Sequence, residues 1–184
     1  MTSRPVARVL AVDDRRENLL ALQAILEGLP IELVPVTSGE DALKRLLVDD
    51  YAVILLDAHM PGMDGFETAG HVKQRERTRH IPILFLTAVD YDPHLAFRGY
   101  QAGAVDYISK PFDPWVLRSK VSVFVDLWAV QSELAAHAAE QEALGAAVDD
   151  VLEMLGTSGT SVPDPVAMLD RVRTRLGSAR AGLD

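Results

Sequence analysis

Val53-Ile54-Leu55-Leu56-Asp57-Ala58-His59-Met60-Pro61-Gly62-Met63-Asp64-Gly65 decides the fold. A short apolar run stops at a carboxylate, and a turn built on Pro61, Gly62 and Gly65 follows. An apolar run bounded by turn signals suits a strand buried on both faces of a parallel sheet. An acid at the carboxyl end of such a strand sits on the sheet edge where open α/β folds bind ligands. Asp57 therefore marks a candidate site whose partners must come from other strand ends.

Outward from this stretch, strand and helix signals alternate up to about residue 125. Val6–Val12, Ile31–Val36, Ala52–Leu56, Ile83–Leu86 and Ala104–Ile108 read as strands. Helices are expected from Asp14 to about Gly28, after Ser38, from Asp64 to Gln74, around His94–Gln101, and from Asp113-Pro114 onward. Ser38 suits an N-cap, and proline suits the first helical turn. Such alternation predicts an α/β fold, a doubly wound five-stranded parallel sheet with helices on both faces. Right-handed crossovers leave few topologies, and the flavodoxin-like order 2-1-3-4-5 is the common one at this size.

The bulk composition agrees with this reading and removes others. At 184 residues and 48% hydrophobic, the chain can fill one domain's core and carry an appendage. No window is apolar enough for a membrane span, and the N-terminus lacks a signal-peptide apolar region. With no cysteine, disulfides, thiol catalysis and cysteine-ligated metals are excluded. A cytoplasmic location is the simplest expectation. The net charge of −9 divides unevenly, −3 over residues 1–125 and −6 over 126–184. An acidic tail repels phosphate backbones, so no nucleic-acid contact is expected.

The strand ends carry a consistent chemistry. Asp13 and Asp14 follow strand 1, Asp57 ends strand 3, Thr87 ends strand 4 and Lys110 follows strand 5. In a parallel sheet these ends share one edge. Three carboxylates together repel one another unless a cation neutralises them. Oxygen ligands suit a hard cation, and Mg²⁺ is commonly held by one or two carboxylates plus water and phosphate oxygens. Lys110 offers a point charge and Thr87 a hydroxyl to a phosphoryl oxygen. A carboxylate can also act as a nucleophile and form an aspartyl-phosphate.

These residues closely resemble the receiver domain of two-component response regulators. The resemblance rests on Val12-Asp13-Asp14, Leu56-Asp57 with Met60-Pro61-Gly62-Met63-Asp64-Gly65, Leu86-Thr87-Ala88, and Gly103 through Phe112. It covers about residues 6–125, with every motif in order. It implies that Asp57 is the phosphoacceptor. It implies that Asp13, Asp14, Asp57 and the backbone carbonyl of His59 hold Mg²⁺. Thr87 and Lys110 would bind the phosphoryl group, and Tyr107 would be the switch aromatic that follows Thr87. Lys110-Pro111 would be a cis peptide. The phosphoryl donor would be a histidine kinase or a phosphotransfer protein. A receiver catalyses its own phosphorylation and dephosphorylation without turning over a separate substrate.

A Mg²⁺-dependent phosphohydrolase would use the same carboxylates, but such enzymes commonly carry a second acid two residues after the nucleophile, where this chain has His59. The intact acid set argues against a receiver-like module without phosphorylation. His59 itself reads equally as an exposed spacer or as a residue steering water at the site mouth. The basic stretch Arg75–His80 reads as a solvated loop.

The tail is a separate problem. Val123, Leu127, Val130, Leu134, His137, Gln141, Leu144, Val148, Val151 and Leu155 recur at alternating spacings of four and three, and eight of the ten are apolar. This predicts one extended helix over residues 113–155, about 65 Å long at ~1.5 Å per residue. A parallel two-stranded coiled coil with a second copy is the simplest partner, making a homodimer; an intramolecular hairpin is the alternative. His137 reads as a polar seam residue that sets register. Residues 156–165 form a flexible linker, and 166–184 a short helix and tail. The domain organisation is then a receiver over 1–125, the coiled-coil helix over 113–155, the linker and the terminal helix.

Overall fold

The structure is a computed structural model that describes residues 6–87 and 106–156. Strands β1 (Ala7–Val12), β2 (Ile31–Val36), β3 (Val53–Asp57), β4 (Ile83–Thr87) and β5 (Asp106–Ser109) form one parallel sheet. Their order is β2-β1-β3-β4-β5, the flavodoxin-like order expected from the sequence. The helices are α1 (Arg16–Leu26), α2 (Gly39–Val48), α3 (Gly65–Gln74) and α4 (Pro114–Gly156). The helix expected around His94–Gln101 lies outside the described residues, as do the terminal helix and all of the linker except Gly156, where α4 ends. No helix among the described residues is long and apolar enough to cross a membrane.

Alternation along the strands builds two cores. Leu10, Ile54, Leu56 and Phe85 point to one face, where Ala42 and Leu46 of α2 and Ala69 and Val72 of α3 cover them. Val9, Val53, Leu55 and Leu84 point to the other, covered by Leu19, Leu22 and Leu26 of α1 and by Leu117, Val121 and Val125 of α4. The helical residues repeat every three or four positions, which is the amphipathic stripe of a helix docked on a sheet.

The caps follow the sequence in three cases out of four. The Ser38 hydroxyl accepts from the Asp41 N–H at 3.1 Å, and the Asp64 carboxylate from the Glu67 N–H at 2.8 Å. Asp113 accepts from the Trp115 N–H at 2.7 Å. The exception is α1, which starts at Arg16 rather than Asp14, with Arg15 at the cap position and no side-chain cap. The Asp13 carboxylate takes the Arg15 N–H instead, at 3.0 Å.

Two arginines join distant elements. Arg77 donates to the Leu47 and Val48 carbonyls at the end of α2, at 2.8 and 3.3 Å. The basic loop is thus more than solvated chain: one of its cations satisfies carbonyls that the helix end leaves without partners. Arg118 does the same for α1, donating to the Ile25 and Glu27 carbonyls at 2.5 and 2.7 Å.

The described residues fall into two units, one ending at Ala129 and one beginning at Val130, and α4 runs through both. Along α4, Val123, Leu127, Val130, Leu134, Leu144, Val148 and Leu152 are exposed, whereas Ala147 is buried. The row passes through Leu152 where the strict heptad repeat passes through Val151. An α-helix of 3.6 residues per turn drifts about 20° per heptad from a 3.5 repeat.

The approach of α3 to β3 leaves no room for a side chain at Gly65. A Cβ there would lie 2.1 Å from the Asp57 carbonyl oxygen and 2.9 Å from the Ala58 Cα. Gly70, in the same helix, has open space around it. Urea unfolding will show Gly65→Ala destabilised by at least about 2 kcal/mol, while Gly70→Ala is neutral or stabilised by up to about 1 kcal/mol.

Candidate functional site

β1 and β3 are neighbours, and both end at carboxylates. Val12 pairs with Leu56 in register, so Asp13 and Asp57 emerge side by side. Asp13 is fully buried and Asp57 is 7% exposed, while Asp14 is exposed at the rim. One carboxylate oxygen from each of the three lies within 4.8 Å of the others. Two such charges repel by roughly 3 kcal/mol at an effective dielectric of about 20. β5 delivers the neutralising group. Lys110 Nζ is 2.6 Å from Asp13 Oδ2 and 3.2 Å from Asp57 Oδ2. Its backbone N–H donates to the Thr87 carbonyl at 2.5 Å, which fixes the end of β5 against the end of β4.

Burial pushes the Asp57 carboxyl above the ordinary aspartate value, and the Asp13 charge adds to the rise. Lys110, by charge and hydrogen bond, and the His59 N–H work against it. The His59 N–H lies at 3.5 Å from Asp57 Oδ1, and the His59 side chain is exposed at the mouth. A cluster of hard oxygen donors, two buried and one at the rim, fits a small divalent cation, because that cation supplies positive charge to carboxylates that burial disfavours.

The structure brings Asp13, Asp14, Asp57 and Lys110 together, with Thr87 beside them at the end of β4 and His59 two residues beyond Asp57. Tyr107 lies one row away. Its ring stacks on Phe85 at 5.4 Å between centroids, Phe85 meets Phe66 at 4.9 Å, and Phe66 meets His59 edge-on at 6.5 Å. Lys110-Pro111 is cis, as the resemblance implies.

The sequence reading missed Asn18. Its amide donates to both Asp13 oxygens, at 2.9 and 3.0 Å. With Lys110 and the Arg15 N–H, this fixes the orientation of the Asp13 carboxylate. An asparagine in the first turn of a helix carries no signal of its own; only its placement five residues after a site acid points to it.

Residues 9–122 match the family model described as the response regulator receiver domain. The chain is 33% identical over 173 residues to the response regulator PleD of Caulobacter vibrioides, covering 93% of this chain and 38% of PleD. It is 31% identical to the sensor histidine kinase GacS of Pseudomonas protegens, covering 96% of this chain and 20% of GacS. The chain thus spans well under half the length of these relatives. Among solved structures, the chemotaxis protein CheY4 of Vibrio cholerae superposes with a TM-score of 0.61 at 30% identity, over 65% of this chain and 99% of CheY4. A response regulator from Chloroflexus aurantiacus gives 0.62 at 33% identity, over 66% and 99%.

The raised Asp57 value has a consequence for stability. The native state holds the Asp57 proton more tightly than the unfolded chain does, so stability falls as pH rises from the ordinary carboxylate value through the raised one. Above that window the ionised group destabilises the fold by a constant amount. Thermal melts will show Asp57→Asn more stable than wild type at neutral pH, and the gain will vanish below the ordinary aspartate value.

Proposed function

The chain belongs to the response regulator receiver domain family, and from that premise we propose that Asp57 accepts a phosphoryl group from a histidine kinase or phosphotransfer protein. The observation that carries this reading is the carboxylate cluster of Asp13, Asp14 and Asp57 with the Lys110 ammonium reaching into it. The receiver function is assigned to residues 1–125.

The chemistry follows from the groups present. An Asp57 oxygen attacks phosphorus in line, forming the new P–O bond. The P–N bond of the donor's phosphohistidine breaks, and its electron pair stays on the departing imidazole. Lys110 moves its charge to a phosphoryl oxygen, and the Thr87 hydroxyl donates to another. Asp13, Asp14, Asp57 and the His59 carbonyl would hold Mg²⁺, whose charge, when bound, offsets that of the phosphoryl oxygens. Asn18 and the Arg15 N–H keep Asp13 oriented for that task. Hydrolysis reverses the modification when water attacks phosphorus and the Asp57 carboxylate leaves. Tyr107, stacked on Phe85 beside Thr87's strand, is the aromatic whose rotamer follows Thr87.

The output passes into α4, which we assign to a parallel homodimer. Its exposed row of valines and leucines needs a partner, and its charges select the orientation. With Val123 and Val130 at heptad position d and Leu127 and Leu134 at a, the g positions are Asp126, Glu133 and Glu140. The e positions, Phe124, Gln131 and Ala138, are uncharged. Parallel pairing sets g against e and brings no like charges together. Antiparallel pairing sets the acidic g row against itself. His137 and Gln141 form a polar layer within the seam.

Incubation with acetyl phosphate and Mg²⁺ will place a hydroxylamine-sensitive label on the wild type and none on Asp57→Asn; a label retained by Asp57→Asn overturns the assignment. Mg²⁺ alone will raise the wild-type Tm, the stabilisation reaching about 2.7 kcal/mol at a hundred times its Kd. Asp14→Asn, altered at an exposed position, will keep the fold and lose most of that gain.

A further inference from the structure

We propose that the groove across the free edge of β2, between α1 and α2, binds a nucleotide, with its base on the apolar wall and its phosphates on the guanidinium groups of Arg16 and Arg45. The proposal does not depend on the phosphoryl reading of Asp57.

The sheet ends at β2, which pairs with β1 alone. α1 packs on one face of the sheet and α2 on the other, so the two helices flank that free edge as walls. The cavity between them measures about 690 Å³. Small-molecule sites span roughly 300–1,000 Å³.

A free strand edge invites a further strand, and Pro35 closes that route. The Val36 carbonyl accepts from the Asp13 N–H at 3.2 Å, so Val36 turns its polar groups towards β1. Successive residues of a strand alternate, so Pro35 turns outward, where it has no N–H to offer an added strand. The occupant is therefore held by side chains.

Those side chains divide into an apolar wall and a charged rim. Leu19 and Val36 are buried in the wall, and Leu20 and Pro35 extend the same surface into solvent, with Leu20 66% exposed. On the rim, Asp41 pairs with Lys44 at 2.8 Å. Arg16 and Arg45 make no ion pair and no side-chain hydrogen bond among the described residues. The rim thus sets three cations against one acid in a chain of net charge −9. Guanidinium forks without carboxylate partners match phosphate oxygens, which they bind bidentately.

Gln23 and Thr37 complete the lining, and neither side chain has a hydrogen-bond partner among the described residues. Amide and hydroxyl can donate to and accept from the edge of a base whose face covers the leucines and proline. An aliphatic anion would leave these two groups unused, and bare phosphate would leave the wall in water. A nucleotide satisfies all three parts of the lining.

Equilibrium dialysis of the full chain tests this, with the four ribonucleoside 5′-diphosphates as probes. EDTA is present so that no divalent cation recruits phosphate to the acid site. At least one nucleotide will bind at a single site, about tenfold or more tighter than pyrophosphate or its own nucleoside. Amide NMR shifts will fall on Arg16–Gln23 and Pro35–Arg45. Arg16→Gln with Arg45→Gln, both at exposed positions, will weaken the nucleotide by about tenfold or more and leave the nucleoside unchanged. Leu20→Ser will weaken nucleotide and nucleoside alike. Pyrophosphate binding as tightly as every nucleotide would reduce the groove to an anion patch, and nucleoside binding as tightly would reduce it to an apolar surface. Either result overturns the proposal. So does the absence of binding up to about 1 mM, a set of shifts confined to the acid site or to residues beyond 130, or an unchanged affinity in the arginine variant.

Discussion

Asp13 and Asp57 share one ammonium group, that of Lys110, 2.6 Å from the first and 3.2 Å from the second. The rest of the site depends on this bridge. Asp13 is fully buried and Asp57 nearly so. Without a cation the two charges would oppose the folding that brings their strands together, and one would have to keep its proton. The direction of the Asp57 shift shows that Lys110 offsets this cost only in part. On the proposed reading, a divalent cation and then the phosphoryl group fill this site.

The fold supplies that bridge through strand order. β1 and β3 are adjacent, so their terminal acids meet; β4 stands between β3 and β5, so Lys110 must reach across the end of β4. The hydrogen bond from the Lys110 N–H to the Thr87 carbonyl holds the reach in place. Gly65 lets α3 begin almost on the Asp57 carbonyl, and the turn through Gly62, at positive φ, brings the chain there. Behind the acids, Phe66, Phe85 and Tyr107 form a packed row of rings that spans the strands from the site mouth towards β5. The row of rings and β5 itself both lead away from the site.

Much of this was legible in the residues. Runs such as Val53–Leu56 name buried parallel strands because both faces must be apolar, and the alternation with helices leaves few topologies. Polar residues at strand ends are legible for the same reason: nothing in a core explains Asp57, so a site must. Ser38 and Asp64 announced their helices through side chains that bond locally. What stayed hidden depends on contacts between residues far apart or on competition. Asp14 looks like a helix cap, but Asp13 takes the Arg15 N–H and α1 begins later. Arg77 and Arg118 look like surface charges, and only the folded chain shows which helix ends they satisfy. Asn18 became visible only once Asp13 had a position. Along α4, a repeat of sevens and a helix of 3.6 residues per turn diverge within a few turns, which is why Leu152 rather than Val151 continues the exposed row.

The central claim is that Asp57, among all the carboxylates of this acidic chain, is the group that takes the phosphoryl. Borohydride reduction of the chain after reaction with acetyl phosphate and Mg²⁺, followed by peptide mass spectrometry, locates that group directly, because only an acyl phosphate is reduced to the alcohol. The account predicts homoserine at position 57 and nowhere else. Homoserine at position 13 or 14, or at a carboxylate outside the cluster, would contradict it.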